Sequence, residues 1–206
     1  RAMLNETTHM MIDIETLGTT PSAVVLELST VIFTDSHGIK QTSPATYIFD
    51  RNHQASVGRT VDESTLDWWD EKLSYKSYAP QDKIYLELLL NNKSVNITPR
   101  DAHTALTESL KQVTGYIWCK GASFDFPIIK SFFASFGLSD PFSDNKNYRK
   151  QMDLRTYETI ARDMGFSGYT THMKGAHISF DDCLDQITMY AELRDYILSH
   201  KKGTLI

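Results

Sequence analysis

The chain has 206 residues, of which 41% are hydrophobic, 11% aromatic and 23% charged. That is enough apolar material for one substantial core, and the composition excludes a disordered, collagen-like or fibrous chain. Its 21 Lys and Arg against 26 Asp and Glu give a formal charge of −5, so any polyanionic partner must be met by cations placed locally.

No uncharged apolar run approaches the ~18 residues of a membrane span, and no secretory signal peptide opens the chain. The two cysteines, Cys119 and Cys183, are too few for a disulfide framework and fit small buried hydrophobes in a reducing, cytoplasmic setting. No repeat or Gly/Ser/Pro-rich linker divides the sequence, so a single domain spanning 1–206 is expected. Residues 1–9 are set aside as a tag remnant or flexible N-terminus, because the opening Arg1-Ala2-Met3 is an odd start.

In chain order, Met10 to Glu15 alternates as a strand does, with Met10, Ile12 and Ile14 on one side and Met11, Asp13 and Glu15 on the other. Gly18 and Pro21 mark a turn. The Val/Leu/Ile-rich stretch from Ala23 to Phe33 and the shorter run Thr46 to Phe49 complete a predicted antiparallel meander. Asp62, Glu63 and Ser64 are start signals for a helix carrying Leu66, Trp68, Trp69 and Leu73. Thr98-Pro99 is an N-cap and first-turn pair before Ala102, Ala105, Leu106, Leu110 and Val113 at helical spacing. Tyr116 to Cys119 reads as a short strand, Gly121 as a turn, and Phe126 to Phe136 as an apolar helix stopped by Gly137. Helices are also predicted over Asp153 to Met164 and Phe180 to Leu198. Strands first and strand–helix alternation later predict an α/β fold, a mixed sheet with helices against it.

Asp13 and Glu15 project from one face of the first strand, with Cα atoms roughly 6.5–7 Å apart. Two carboxylates on an otherwise apolar strand repel each other and lose hydration, which raises at least one pKa unless a cation or donors compensate. An oxygen-only set favours Mg2+ or Mn2+ over zinc. A solvated strand edge would explain the pair equally well. Asp125, in Gly121-Ala122-Ser123-Phe124-Asp125, sits where an acid favours a helix N-terminus. Ser179-Phe180-Asp181-Asp182 has the spacing of a capping box, and His177 alone would be an ordinary surface histidine. The ordered set points beyond these occupations: an acid pair on the first strand, an acid at a strand-to-helix turn, and a histidine five residues before another acid.

That order, Asp13-Ile14-Glu15-Thr16, then Phe124-Asp125, then His177 and Asp182, resembles the DEDDh 3′-to-5′ exonucleases of the ribonuclease-H-like superfamily. Within them the chain is most similar to the small phage and bacterial exonucleases related to the mycobacterial exoribonuclease family and phage exonuclease A. Leu66-Asp67-Trp68-Trp69 and Trp118-Cys119-Lys120-Gly121 carry that closer likeness. The resemblance runs from about Met11 to Leu193 and departs from the pattern at Lys120, where these enzymes commonly have Asn.

The resemblance implies a ribonuclease-H-like sheet whose first three strands are antiparallel and whose later strands are parallel. It implies a single exonuclease domain acting on 3′ ends of single-stranded DNA or RNA, or on 3′ overhangs, and a possible homodimer. Two metal ions about 3.5–4 Å apart can both position the attacking water and stabilise charge on the phosphate. Asp13, Glu15, Asp125 and Asp182 are then the ligands of two Mg2+ or Mn2+ ions, Asp13 bridging, and His177 is the general base.

Thr16 and Leu17 are expected at the terminal nucleotide, Phe124 as a stacking or core ring, and Lys120 and Arg155 as further substrate contacts. Trp68 and Trp69, about 100° apart on a helix, cannot both face one way, so at least one is core. Lys146, Arg149 and Lys150 form a basic cluster that reads first as a solvated loop. Two rival readings stand beside the exonuclease. A non-enzymatic ribonuclease-H-like module binding nucleic acid or protein would have no need to gather carboxylates against a polyanion. A hydrolase restricted to very short oligonucleotides would release product from dimers but not from long strands.

Overall fold

The computed structural model describes residues 7–35, 38–75, 78–171, 173 and 177–201. Strands β1 (Thr8–Thr16), β2 (Val25–Thr34) and β3 (Lys40–Ile48) form the antiparallel meander, and β4 (Ile117–Cys119) and β5 (Gln151–Asp153) add in parallel, in the order β3-β2-β1-β4-β5. This is the mixed sheet the sequence predicts, with β1 at its centre. Its partners run antiparallel on one side and parallel on the other, so the carboxyl ends of β1 and β4 open on the same edge, where open α/β sheets place ligands.

The alternation in β1 is explained by cover on both faces. Met10, Ile12 and Ile14 pack with Ala102, Leu106 and Leu110 of α4 (Pro99–Leu110) and with Ile128, Ile129, Phe132 and Phe133 of α5 (Ala122–Ser135). Met11 turns the other way and joins Val31, Phe33 and Trp118 with Leu154 and Ala161 of α6 (Leu154–Asp163) and Cys183, Ile187 and Leu193 of α7 (Ser179–Lys201). Full burial of each such side chain contributes roughly 1.5–3 kcal/mol. Asp13 and Glu15 share Met11's side, so their charges lie under a helix and not at a wet edge. Both cysteines are free and buried, as expected.

Local chemistry sets the element ends. Thr98 accepts from the Asp101 N–H at 3.1 Å and Pro99 opens α4, while Asp153 accepts from the Arg155 N–H at 3.1 Å at the start of α6. A register shift between Glu15 and Thr16 ends regular β1–β2 pairing just past the acids. Helix α1 (Arg51–Ser56), helix α3 (Pro80–Leu90) and β5 carry no periodic signal long enough to be predicted. The N-terminal segment set aside as 1–9 extends too far: Thr8 and His9 belong to β1, and His9 is 3% exposed, its Nδ1 accepting from the Tyr116 N–H at 3.0 Å. Residues 1–6 of that segment lie outside the described residues.

A third cluster closes the carboxyl end of the sheet. Leu17, Val24, Leu26 and Ile48 pack with Trp69 of α2 (Glu63–Ser74), Leu86 and Leu89 of α3, and Ile178. It seats α2 beside the end of β1 and brings Trp68, packed partly against the same cluster, next to the acids.

Candidate active site

Glu15, on β1, is 7% exposed and its carboxylate makes no hydrogen bond among the described residues. Across from it stand His177 and Asp182, and the three offer ligand atoms that all lie within 4.8 Å of one another. Asp182 sits in the first turn of α7, its N–H bonded to the Ile178 carbonyl at 2.9 Å. The capping-box expectation at Ser179 is corrected: Ser179 is the first helical residue, and its hydroxyl bonds the Ser29 hydroxyl at 2.6 Å. Asp182 is therefore not spent on a reciprocal cap and faces the other acids.

Asp13 is held from the same helix, with Gln186 Nε2 donating to its Oδ1 at 2.7 Å. Asp125, 4% exposed, stands in the first turn of α5. Gly121 turns the chain there at φ 133°, a conformation side chains avoid, and its carbonyl accepts from the N–H groups of Phe124 and Asp125 at 2.7 and 3.1 Å.

Burial is the first cause that pushes these acids toward the neutral form, and mutual repulsion is the second for Asp13 and Glu15. Asp13 is raised well above its ordinary value by burial and by Asp125 and Asp182; Glu15 is raised well above its own by burial and by Asp13 and Asp182. Burial lifts Asp125 to about 7, opposed in part by backbone donors and Arg155. Asp182 also reaches about 7, from burial and then its neighbours Asp185 and Asp181, with Lys120 pulling the other way. The acids thus feel one another across three elements.

His177 adopts a left-handed backbone at φ 51°, which costs a non-glycine residue about 1–3 kcal/mol. Its ring meets the Trp68 ring edge-to-face, centroids 4.8 Å apart, and Lys72 Nζ lies 5.0 Å from the Trp68 centroid. Burial, and then Lys72, hold the imidazole below its ordinary pKa, so at neutral pH it is a free base.

Beside Glu15 a cleft of about 380 Å³ is lined by Thr16, Gly18 and Thr19, by Ser64, Thr65, Trp68 and Trp69 of α2, and by Phe124. Trp69 is the core member of the tryptophan pair: it is 1% exposed and its Nε1 donates to the Thr16 carbonyl at 3.0 Å. Asp62, before α2, receives the Thr19 N–H at 3.0 Å and makes no cap bond to its own helix. Leu17, expected at the nucleotide, is 0% exposed within the third core cluster; it braces the wall from behind.

Lys120 extends its Nζ to within 3.6 Å of Met189 Sδ on α7, close enough to Asp182 to lower its pKa. Arg155 lies over Gly121, where a Cβ would stand 3.5 Å from its guanidinium carbon. The basic cluster, expected as a solvated loop, is instead a short 3-10 helix over Asp144–Arg149, in which Arg149 Nε bonds the Tyr148 hydroxyl at 2.9 Å, followed by a half-buried Lys150 whose Nζ donates to the Val113 carbonyl at 2.6 Å. Sequence reading missed Gln186, although its position one turn after Asp182 on an amphipathic helix was a usable signal. It also missed Lys72, although it stands one turn after Trp68 on the same helix and its Nζ lies over that ring, an i,i+4 contact the helix itself provides.

The sheet order β3-β2-β1-β4-β5, with helices against both faces, is a ribonuclease-H-like fold. Solved structures of Escherichia coli exonuclease I share it: one matches with a TM-score of 0.60 and 13% identity over 95% of this chain and 44% of that one, and a complex with a dT13 oligonucleotide gives the same values. The chain thus spans less than half the length of the exonuclease I chains it matches. Residues 8–194 match the Rv2179c-like 3′-5′ exoribonuclease domain, and the chain belongs to that family of 3′–5′ exonucleases. It is also 25% identical, over 87% of its length and 86% of the relative's, to an exodeoxyribonuclease of Enterobacteria phage T4. Among the described residues, no helix is long and apolar enough to cross a membrane.

Proposed function

We propose that the chain, acting as one exonuclease domain, hydrolyses the terminal phosphodiester at the 3′ end of single-stranded DNA or RNA and releases nucleoside monophosphates with the help of two Mg2+ or Mn2+ ions. The observation that carries this reading is the continuity of the aromatic cleft with the acid cluster: Glu15 lines the cleft and also belongs to the Glu15–His177–Asp182 group. The cleft's volume falls in the range of small-molecule sites, roughly 300–1,000 Å³, and its Trp68 and Phe124 rings suit a base without reading its identity.

The donor set fits hard divalent cations. Asp13, Glu15, Asp125 and Asp182 offer oxygens, Glu15 lacks any donor among the described residues, and burial leaves all four poorly solvated. These four residues would hold the ions, which supply charge stabilisation to the phosphate and a more acidic water. His177, neutral near pH 7, takes the proton of the attacking water, and the Trp68 edge fixes the ring plane for that transfer. Thr16 and Phe124 hold the terminal nucleotide, Leu17 supporting them from the core. Lys120 and Arg155, at the β4 and α6 ends of the cluster, contact phosphates. The phage exodeoxyribonuclease and the exonuclease I complex with dT13 favour DNA as a substrate, whereas the family's description favours RNA.

Digestion of 3′- and 5′-labelled single strands of DNA and RNA with Mg2+ or Mn2+, beside an Asp13→Asn control, tests the reading. Stepwise mononucleotide release from the 3′ end is expected. No release from either polymer, or equal release by the control, would overturn it.

A further inference from the structure

The chemistry above makes no use of Glu27, an acid that is 0% exposed in the middle of the sheet. It stands directly opposite Glu15 in the β1–β2 register, so both side chains share the face covered by α7. Its Oε1 accepts the Ser179 N–H at 2.6 Å, and the Tyr85 hydroxyl of α3 donates to Oε2. Beside it the Ser179 hydroxyl meets Ser29 at 2.6 Å, and Ser29 meets Thr46 at 2.8 Å. The first residue of α7 is thus tied to β2 through both its backbone and its side chain.

A further acid pointed at this face is expensive. A buried carboxylate is costly even when hydrogen-bonded, and Glu27 adds repulsion at Asp13, Glu15 and Asp182. An apolar residue would pack there without that penalty. What the carboxylate accomplishes is geometric. Ser179 follows His177 by two residues and precedes Asp182 by three. The Glu27–Ser179 bond links β2, whose Glu27 stands opposite Glu15, to the helix start that follows His177 by two residues and carries Asp182.

We infer that Glu27 is a positioning residue: its carboxylate clamps the N-terminus of α7 so that His177 and Asp182 stand within reach of Glu15, and Tyr85 aims that carboxylate from α3. The inference rests on the exonuclease reading for its kinetic consequences but not for its metal-binding ones. It gives β2 and α3 a part in the site, although neither supplies a residue that touches substrate.

The test compares wild type with Glu27→Leu, Glu27→Gln and Tyr85→Phe in the full chain, measuring Mn2+ binding by calorimetry, kcat and KM on a single-stranded oligonucleotide, and melting in chelator. Glu27→Leu is expected to bind Mn2+ about 10- to 100-fold more weakly and to lower kcat by a similar factor. Its KM should stay within about threefold, because Thr16, Trp68 and Phe124 are untouched. Its melting temperature in chelator should fall modestly, because Leu leaves the Ser179 N–H and the Tyr85 hydroxyl without their acceptor while it relieves the repulsion among the acids. Glu27→Gln, which keeps an acceptor for the Ser179 N–H, should recover most of both, and Tyr85→Phe should show a smaller defect of the same kind.

Glu27→Leu with Mn2+ affinity and kcat within threefold of wild type overturns the inference, as does a lowered melting temperature with both constants unchanged. If Glu27→Leu does not fold, Tyr85→Phe decides: unchanged Mn2+ affinity and kcat overturn the clamp. A wild type that binds Mn2+ but releases no nucleotide sinks the exonuclease reading alone, and the calorimetric comparison still tests Glu27.

Discussion

The two faces of β1 do different work with the same strand. Toward α4 and α5, Met10, Ile12 and Ile14 are 0–5% exposed among Phe126, Phe132, Phe133 and Phe142, and the acid on that side, Asp125, sits at the first turn of α5, at the end of the strand. Toward α7, Met11 is equally buried, but Asp13, Glu15, Glu27 and Ser29 follow, answered by Ser179, Asp182 and Gln186. One face stabilises the fold by apolar burial, and the other gives up that stabilisation to hold charges close together. Stability and activity therefore separate across a single strand, and substitutions can be chosen to break one without the other.

The largest effect is expected at Asp13→Asn, which should lower kcat by on the order of 10³-fold or more, since metal ligation is worth several kcal/mol at the transition state. The same variant should melt at an equal or higher temperature than wild type in chelator, because it removes a buried carboxyl raised by burial and by Asp125 and Asp182. Phe132→Ala, on the opposite face at 1% exposure, should cost about 3–5 kcal/mol in denaturant unfolding. Its kcat per folded molecule should be unchanged; a matching drop in kcat would erase the contrast between the faces.

His177→Ala is expected to reduce kcat about 10²-fold or more. In wild type the acid limb of kcat/KM should fall below the ordinary histidine value of about 6.5, because burial and Lys72 depress this imidazole. A limb well above that value, or none at all, would remove His177 from the role of base.

A pH series sharpens the comparison further. Asp125 and Asp182 are raised to about 7 and Asp13 and Glu15 well above their ordinary values, whereas the unfolded chain releases these protons near pH ~4. Between those limits the folded state holds more protons than the unfolded one, so stability in chelator should fall as pH rises from about 5 to 8. The depressed His9 and His177 act in the opposite direction but are fewer. Millimolar Mn2+ should flatten the decline by binding the ionised acids; melting curves with and without chelator would measure it. The smallest effect is expected at Lys120→Ala: a KM rise of a few-fold and a salt dependence of binding shallower by about 0.7, the slope that one phosphate of a single strand carries.

Part of this contrast was legible before folding. The period-2 alternation of Met10 to Glu15 identifies a strand and puts both acids on one side, and the Thr98-Pro99 pair locates a helix start. Other elements left no such mark. Helix α3 is apolar on several sides, with Ile84 and Leu88 exposed and Leu86 and Leu89 buried, so no clean stripe announces it. Strand β5 has three residues and depends on pairing with β4. The serine at 179 matched a local capping pattern, and a partner 150 residues away in sequence overrode it.

The sequence by itself determined the ingredients: the strand carrying two acids, the helices bearing the others, and, through resemblance, the order in which they belong together. Only the tertiary structure decided that Glu27 reaches Ser179, that Gln186 holds Asp13, that Leu17 lies in the core and Trp68 against His177. Periodicity and capping are written in neighbours along the chain, so they can be read locally. Contacts between residues far apart in sequence depend on which faces meet when the sheet closes, and no local pattern carries that information.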